Sequence, residues 1–260
     1  MKKPRLDQLL VERGLAQSRE RARRLIIAGE VRVGGVPVTK PGRPVMPDAE
    51  IEVAARERYV GRGAYKLEHA LHAFDLEVTD RTALDVGAST GGFTDCLLQH
   101  GARRVYAVDV GYGQLDYRLR QDPRVVVMER VHARYLQPDA LPERVGFICV
   151  DVSFISLTLI LPAVIPLASP GTWMVTLIKP QFEARRGQVA RGGVVRDESV
   201  RKDTIERVRR FGQDQPGCRW IDCVPSPVRG PAGNVEYLAL WTLEGDHAQD
   251  TTAKGGGDEA

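Results

Sequence analysis

The chain has 260 residues, enough for one full-sized domain and a smaller one. Its hydrophobic fraction of 43% is that of a globular protein, and no apolar run approaches the roughly 18 residues of a membrane helix. The net charge of +3 hides an asymmetry, because residues 1–62 hold 14 Lys/Arg against 8 Asp/Glu while residues 63–260 hold 23 against 26.

A basic front end on a slightly acidic body favours a polyanionic partner. Met1-Lys2-Lys3-Pro4-Arg5 runs straight into a polar amphipathic segment with no signal-peptide core, so a cytoplasmic location is expected. Cys96, Cys149, Cys218 and Cys223 form no CxxC pair and sit mostly in apolar segments. Buried thiols are expected of them, rather than a disulfide or a metal site.

Residues 5–13 read as a short helix with Leu6, Leu9 and Leu10 on one face, ended by Gly14. Ser18 is the expected N-cap of a second helix that runs to Gly29 with Ala22, Leu25 and Ile26 inward. Arg19 and Arg23 then share the other face, with Arg24 at its edge. Val31 and Val33 alternate with polar residues, Gly34-Gly35 makes a two-residue turn, and Val36 and Val38 resume the alternation. From the RLD opening through Ile51-Glu52-Val53 this stretch resembles the S4 RNA-binding domain, including an SR-x-x-A helix and an AGEVRV strand. The resemblance implies that the second helix and the hairpin meet structured RNA, with Arg5, Arg19, Arg23 and Arg24 as the expected contacts. Independently, arginines at helical spacing can reach successive phosphates.

Residues 56–62 are charged, non-periodic and read as a linker between an S4-like domain at 1–55 and a larger domain at 63–243. Within the latter, helices are expected at Ala64 to Phe74, Phe93 to His100, Ile155 to Leu167 and Ser199 to Phe211. Strands are expected at Thr82 to Gly87, Val105 to Val110, Val125 to Met128, Phe147 to Val152, Thr172 to Ile178, Arg219 to Val224 and Val235 to Leu243. The first five alternations require a parallel sheet with helices on both faces. Two terminal strands joined by the Pro/Gly loop 225–233 add an antiparallel hairpin at one edge. The expected fold is therefore α/β, the seven-stranded Rossmann-like arrangement of class I methyltransferases. Residues 244–260, polar and ending GGGDEA, are expected to be disordered.

Ligands of such sheets bind outside the carboxyl ends of the strands. The first strand ends in Asp85-Val86-Gly87-Ala88-Ser89-Thr90-Gly91-Gly92-Phe93, a glycine turn that lets a nucleotide-like ligand approach the backbone and a helix N-terminus. Asp109, about 20 residues beyond, stands where a carboxylate takes ribose hydroxyls. Glu129 ends the third strand on the expected adenine side. Asp151 ends the fourth, and Lys179 ends the fifth before Pro180, a position where an ammonium needs a carboxylate partner. Glu236 offers a second acid and Lys66 a second ammonium; Lys66 is expected to ease deprotonation of Lys179 by like-charge repulsion.

GAYKLEHAL, ALDVGASTGGFTDCLLQHGA, VYAVDVGYGQL, FICVDVSFISL, LIKPQFEA, GGVVRD and GPAGNVEYL resemble the TlyA family, ribosomal RNA 2′-O-methyltransferases that join an S4 domain to an FtsJ/RrmJ-like domain. The resemblance covers residues 4–243. It implies that the family's K-D-K-E tetrad falls on Lys66, Asp151, Lys179 and Glu236. Its S-adenosylmethionine loop then falls on Asp85 to Phe93, and its substrate is a cytidine of 23S or also 16S ribosomal RNA. Relatives carry a Thr-Asn pair after the third strand where this chain has Val131-His132. The expected chemistry is in-line methyl transfer with Lys179 as base and Asp151 and Glu236 orienting it, without a metal. Family members have also been called haemolysins, but the sequence has no membrane-length segment or amphipathic barrel repeat. A non-catalytic RNA-binding protein is the other alternative, and the complete tetrad argues against it.

Overall fold

In a computed structural model, residues 3–53, 58–185 and 187–244 are described. The chain falls into two compact units, Met1–Arg58 and Tyr59–Ala260. The expected linker lies partly, and the expected disordered tail almost wholly, outside the described residues.

The first unit builds one core from α1 (Leu6–Glu12), α2 (Arg19–Ile27) and a small sheet. Leu6, Leu9, Leu10, Ala22, Leu25 and Ile26 fill it, the residues that helical spacing puts on the inner faces. Ser18 Oγ accepts the Arg21 N–H at 3.2 Å, which caps α2 as expected. β1 (Val31–Val33) turns through Gly34 and Gly35, φ +57° and +76°, into β2 (Val36–Pro37). The structure adds β3 (Ile51–Val53) to the free side of β1, giving the order β2-β1-β3. The RLD opening has a structural use: Asp7 is fully buried and takes Arg5 at 3.0 Å and Arg19 at 3.1 Å. Their guanidinium groups, Arg5 foremost, hold the Asp7 carboxyl below the usual carboxylate range.

The second unit starts with α3 (Ala64–Ala73), β4 (Thr82–Val86), α4 (Gly92–Gln99), β5 (Arg104–Asp109), α5 (Tyr117–Arg120), β6 (Val125–Glu129) and β7 (Val145–Val150). It continues with α6 (Leu161–Val164), β8 (Ala168–Ile178), α7 (Pro180–Glu183), α8 (Glu198–Gln213), β9 (Cys218–Pro225) and β10 (Tyr237–Leu243). The strands form one seven-stranded sheet in the order β6-β5-β4-β7-β8-β10-β9. The first five are parallel, and β10 is antiparallel to both of its neighbours. Side-chain alternation splits each strand between two cores. Ala83, Val105, Phe147 and Val175 pack toward α3 and α4, whereas Leu84, Tyr106, Ile148 and Met174 pack on the opposite face with Val208 of α8.

The expected antiparallel hairpin lies at one edge, its second strand inserted between β8 and β9: β10 is almost entirely buried while β9 alternates with solvent-facing residues. One element differs from expectation. The expected helix from Ile155 to Leu167 is instead a string of short turns: 3₁₀ turns at Leu157–Leu159 and Ile165–Leu167 flank the four-residue α6. Pro162 and Pro166 lack the N–H that a continuous helix needs there, yet Leu157, Ile160, Leu161 and Val164 still reach the core. Cys96, Cys149 and Cys218 are buried thiols and Cys223 is half-buried, as expected. No helix among the described residues is long and apolar enough to cross a membrane.

Gly212 in the last turn of α8 lets that helix lie on the buried Trp241 ring, since a Cβ there would stand 2.3 Å from a ring carbon. The indole cannot yield easily, because its Nε1 donates to Thr176 Oγ1 at 2.9 Å and its face meets Trp220 edge-on. Gly212→Ala gains helix propensity of at most ~1 kcal/mol, against an overpacking cost of about 1–3 kcal/mol. A net loss of stability is expected, read as a lower urea midpoint with unchanged slope.

Candidate active site

The carboxyl ends of β4, β5, β7 and β8 gather the predicted site residues. Gly87 leaves β4 at φ +87°, and a Cβ on it would stand 2.3 Å from the main-chain oxygen of Asp151. Only glycine allows the ends of β4 and β7 to approach so closely. Gly91, at φ +96°, makes the turn into α4, where a Cβ would strike Leu119 at 2.2 Å. Gly92 is less tight, a Cβ on it standing 2.9 Å from the Ala64 amide nitrogen.

Asp85 does not reach the surface of this loop. It is fully buried beneath it, accepting the Thr94 hydroxyl at 2.6 Å and the Cys149 thiol at 3.7 Å. Burial pushes its carboxyl up to about 7, with the Thr94 hydrogen bond opposing. Below about pH 4 folded and unfolded chains are both protonated there; between about 4 and 7 the unfolded chain ionises first, so this group's stabilisation is lost as pH rises. Asp85→Asn is therefore expected to gain stability relative to wild type as pH climbs through that window, by up to ~1.4 kcal/mol per pH unit. Urea midpoints of the two proteins at pH 5, 6 and 7.5 check it.

Asp109 accepts the Ser89 N–H at 2.8 Å and the Gly111 N–H at 2.6 Å, and so ties the glycine loop to the end of β5. It also lines a cavity of about 710 Å³ with Gly87, Ser89, His132, Asp151 and Phe154. A second cavity, about 330 Å³, shares Gly87, Ser89 and Asp151 and adds Lys66, Phe93 and Arg229. Ala88, Thr90 and Gly92 belong to this smaller half. Glu129 lies outside the lining of both: it accepts the Gly113 N–H at 2.8 Å and pairs with Arg120. The departure Val131-His132 forms part of the wall of the larger cavity, anchored by the Val131 N–H on the Asp109 carbonyl at 3.0 Å.

Asp151, which lines both halves, and Lys66, which lines the smaller, belong to the Lys/Asp/Lys/Glu quartet. Asp151 Oδ1 meets Lys179 Nζ at 2.5 Å, and its Oδ2 faces Lys66 Nζ at 3.7 Å. Lys66 Nζ in turn donates to Glu236 Oε2 at 2.7 Å. Lys66, Lys179 and Glu236 are buried, and alternating charge makes that burial tolerable. One pairing differs from expectation: Glu236 lies against Lys66, and the second partner of Lys179 is Ser153, whose Oγ accepts at 2.9 Å. Gly230 shields Glu236, since a Cβ there would stand 2.6 Å from its Oε1.

Sequence reading passed over Ser153 and Phe154. Phe154 holds φ +64°, a conformation that bulky side chains avoid, and leaves its ring 90% exposed on the larger cavity, 5.0 Å from the Phe182 ring. An aromatic residue three positions after the strand-end acid Asp151 was the available signal. In the N-terminal unit, Arg23 and Arg24 are exposed on α2, whereas Arg5 and Arg19 converge on Asp7.

The S4 domain profile matches residues 4–51, and that of the FtsJ-like methyltransferases matches residues 59–242. A Mycobacterium tuberculosis protein named 16S/23S rRNA (cytidine-2′-O)-methyltransferase TlyA is 47% identical over 98% of this chain and 94% of its own length. The Bacillus subtilis protein YqxC, named as an rRNA methyltransferase, is 48% identical over 96% of this chain and 90% of its own. A solved structure from Streptococcus thermophilus, described as a hemolysin, is 44% identical and superposes with a TM-score of 0.71, covering 94% of this chain and 90% of that one. Full-length identity of this order, with both domain profiles in the same chain, means that it belongs to the TlyA family of FtsJ-like methyltransferases carrying an S4 domain.

Proposed function

We propose that this protein methylates a ribose 2′-hydroxyl of ribosomal RNA, at a cytidine, with S-adenosylmethionine as donor and Lys66, Asp151, Lys179 and Glu236 as the catalytic group. The observation that carries the reading is the buried quartet linked to the cleft of the glycine loop through Asp151 and Lys66, which line it, with Lys179 paired directly to Asp151. The cleft suits the donor: the Gly87 cradle is bare backbone, and the larger cavity combines the Asp109 carboxylate with apolar walls. Gly87, Ala88, Ser89, Thr90, Gly91 and Gly92 would hold its methionine end and Asp109 its ribose. When bound, S-adenosylmethionine supplies a methyl group already activated on a sulfonium.

The residues' part is alignment and removal of one proton. A neutral lysine amine has two N–H donors and one lone pair. Asp151 and Ser153 take the two donors of Lys179, which leaves the lone pair to accept the 2′-hydroxyl proton as that oxygen gains the methyl. The ammonium so formed is stabilised by Asp151, while Lys66, between Asp151 and Glu236, keeps that carboxylate in place. Arg23 and Arg24 would hold ribosomal RNA phosphates, and a cytoplasmic location follows from that substrate. The relatives' names support the cytidine and the ribosomal RNA. Ribosomes from a strain lacking this gene, incubated with the protein and methyl-labelled donor, should gain label at a cytidine 2′-oxygen. Label on a base, or none, would remove the proposal.

A further inference from the structure

Two segments leave the carboxyl ends of β7 and β8 side by side, residues 151–157 and 179–183, and three cross-links join them. Nearest the strands, Lys179 holds Asp151 and Ser153. In the middle the rings of Phe154 and Phe182 meet. Farthest out, Glu183, only 2% exposed, accepts the Leu157 N–H on Oε1 and the Ser156 hydroxyl on Oε2, both at 2.7 Å. Arg207 of α8 donates to the same Oε2 at 3.0 Å.

A buried carboxylate persists only when paired and hydrogen-bonded, and this one is satisfied by three donors from two other elements. Its partners lie on the segment that the reaction uses. Residues 152–155 are held at one end by the Asp151 N–H on Val86 O at 2.9 Å and at the other by Glu183. Between those anchors Phe154 is kept at positive φ, which it would leave if one anchor were released. The same release would take the Ser153 hydroxyl from Lys179 Nζ.

We infer that Glu183 is a positioning residue for the transfer step: by fixing Ser156 and Leu157 it keeps Ser153 on Lys179 and Phe154 on the larger cavity. The inference rests on the proposed role of Lys179. Glu183→Gln is the main variant, since the amide keeps an acceptor for Leu157 but loses the charge that pairs Arg207. Expected is a fall in kcat of about 10- to 100-fold, the scale of a displaced reacting group, larger than any accompanying loss of calorimetric affinity for S-adenosylmethionine, because the segment also walls the larger cavity. Amide hydrogen exchange should quicken over residues 153–157 and not in the glycine loop.

Combined with Ser153→Ala, the loss should fall short of the product of the single losses, because both act through one segment. A structural role alone would lower the melting temperature, leave kcat per folded molecule unchanged and make the two effects multiply; that result would overturn the inference. Lys179→Ala measured in the same series keeps the two readings apart. If that variant turns over, the base assignment falls, while non-additivity between Glu183 and Ser153 still upholds the positioning role and its absence still removes it. Should Glu183→Gln not fold, Ser156→Ala removes one donor from the surface side and is judged by the same cycle.

Discussion

Lys179→Ala is expected to lower kcat by about 10²–10⁴-fold, the usual contribution of a positioned general base, with donor affinity unchanged. The fold should survive, because Asp151 keeps Lys66 at 3.7 Å and is not left as an unpaired buried charge. The glycine loop and Asp109 make no contact through the lost amine, so calorimetric titration with S-adenosylmethionine should match wild type. Lys179→Arg should be equally inactive. Its guanidinium stays protonated at any working pH and has no lone pair to offer, so restored charge does not restore chemistry. Single-turnover methyl transfer to ribosomal RNA is the measurement, and wild-type rates in either variant would displace the base from Lys179.

Gly87→Ala should harm both halves of the cleft at once. The added methyl meets a main-chain oxygen at 2.3 Å, and neither strand end can swing aside as a side chain would. A non-glycine residue at φ +87° adds about 1–3 kcal/mol of strain. Relief requires β4 and β7 to part, which moves Asp151 from Lys179 and opens the cradle. Donor binding should weaken by 10²-fold or more, about 2.7 kcal/mol, and kcat should fall with it. Gly113→Ala is the control: it has φ +71° but open space around the added methyl, so strain alone is tested. Equal defects in the two variants would mean that the close approach of Gly87 is unimportant.

The parts of the site that a sequence displays are those written at strand ends. The glycine turn, Asp109, Asp151 and Lys179 each close an apolar run with a polar group, and the carboxyl edge of a parallel sheet brings such groups together whatever their separation. Pairing within the cluster is a different matter. β10 enters between β8 and β9 with Tyr237 opposite Ile178, which brings Glu236 to the level of Lys179, yet it is Lys66 from α3 that takes its carboxylate, a contact 170 residues apart that no local pattern encodes. Glu129 looked like a ligand group until Arg120 and the Gly113 amide claimed it. Ser153 and Phe154 sit in an irregular segment and Glu183 ends the four-residue α7, all too short to show periodicity, and contacts 26 or 27 residues apart decide what Ser153 and Glu183 do. Ile155 to Leu167 reads as a helix because it is long and apolar, although its two prolines marked where the hydrogen bonds would fail.

The insertion of β10 also sets an order of events during synthesis. Every strand of the donor cleft precedes it in the chain, so a polypeptide that has emerged from the ribosome only as far as β9 can already carry the glycine loop, Asp109, Asp151 and Lys179. Glu236 arrives just ahead of β10, and Lys66 meets its closest carboxylate only when that strand slides between two neighbours made earlier. Completion of the quartet therefore waits on the last strand of the sheet, whereas the donor cleft does not.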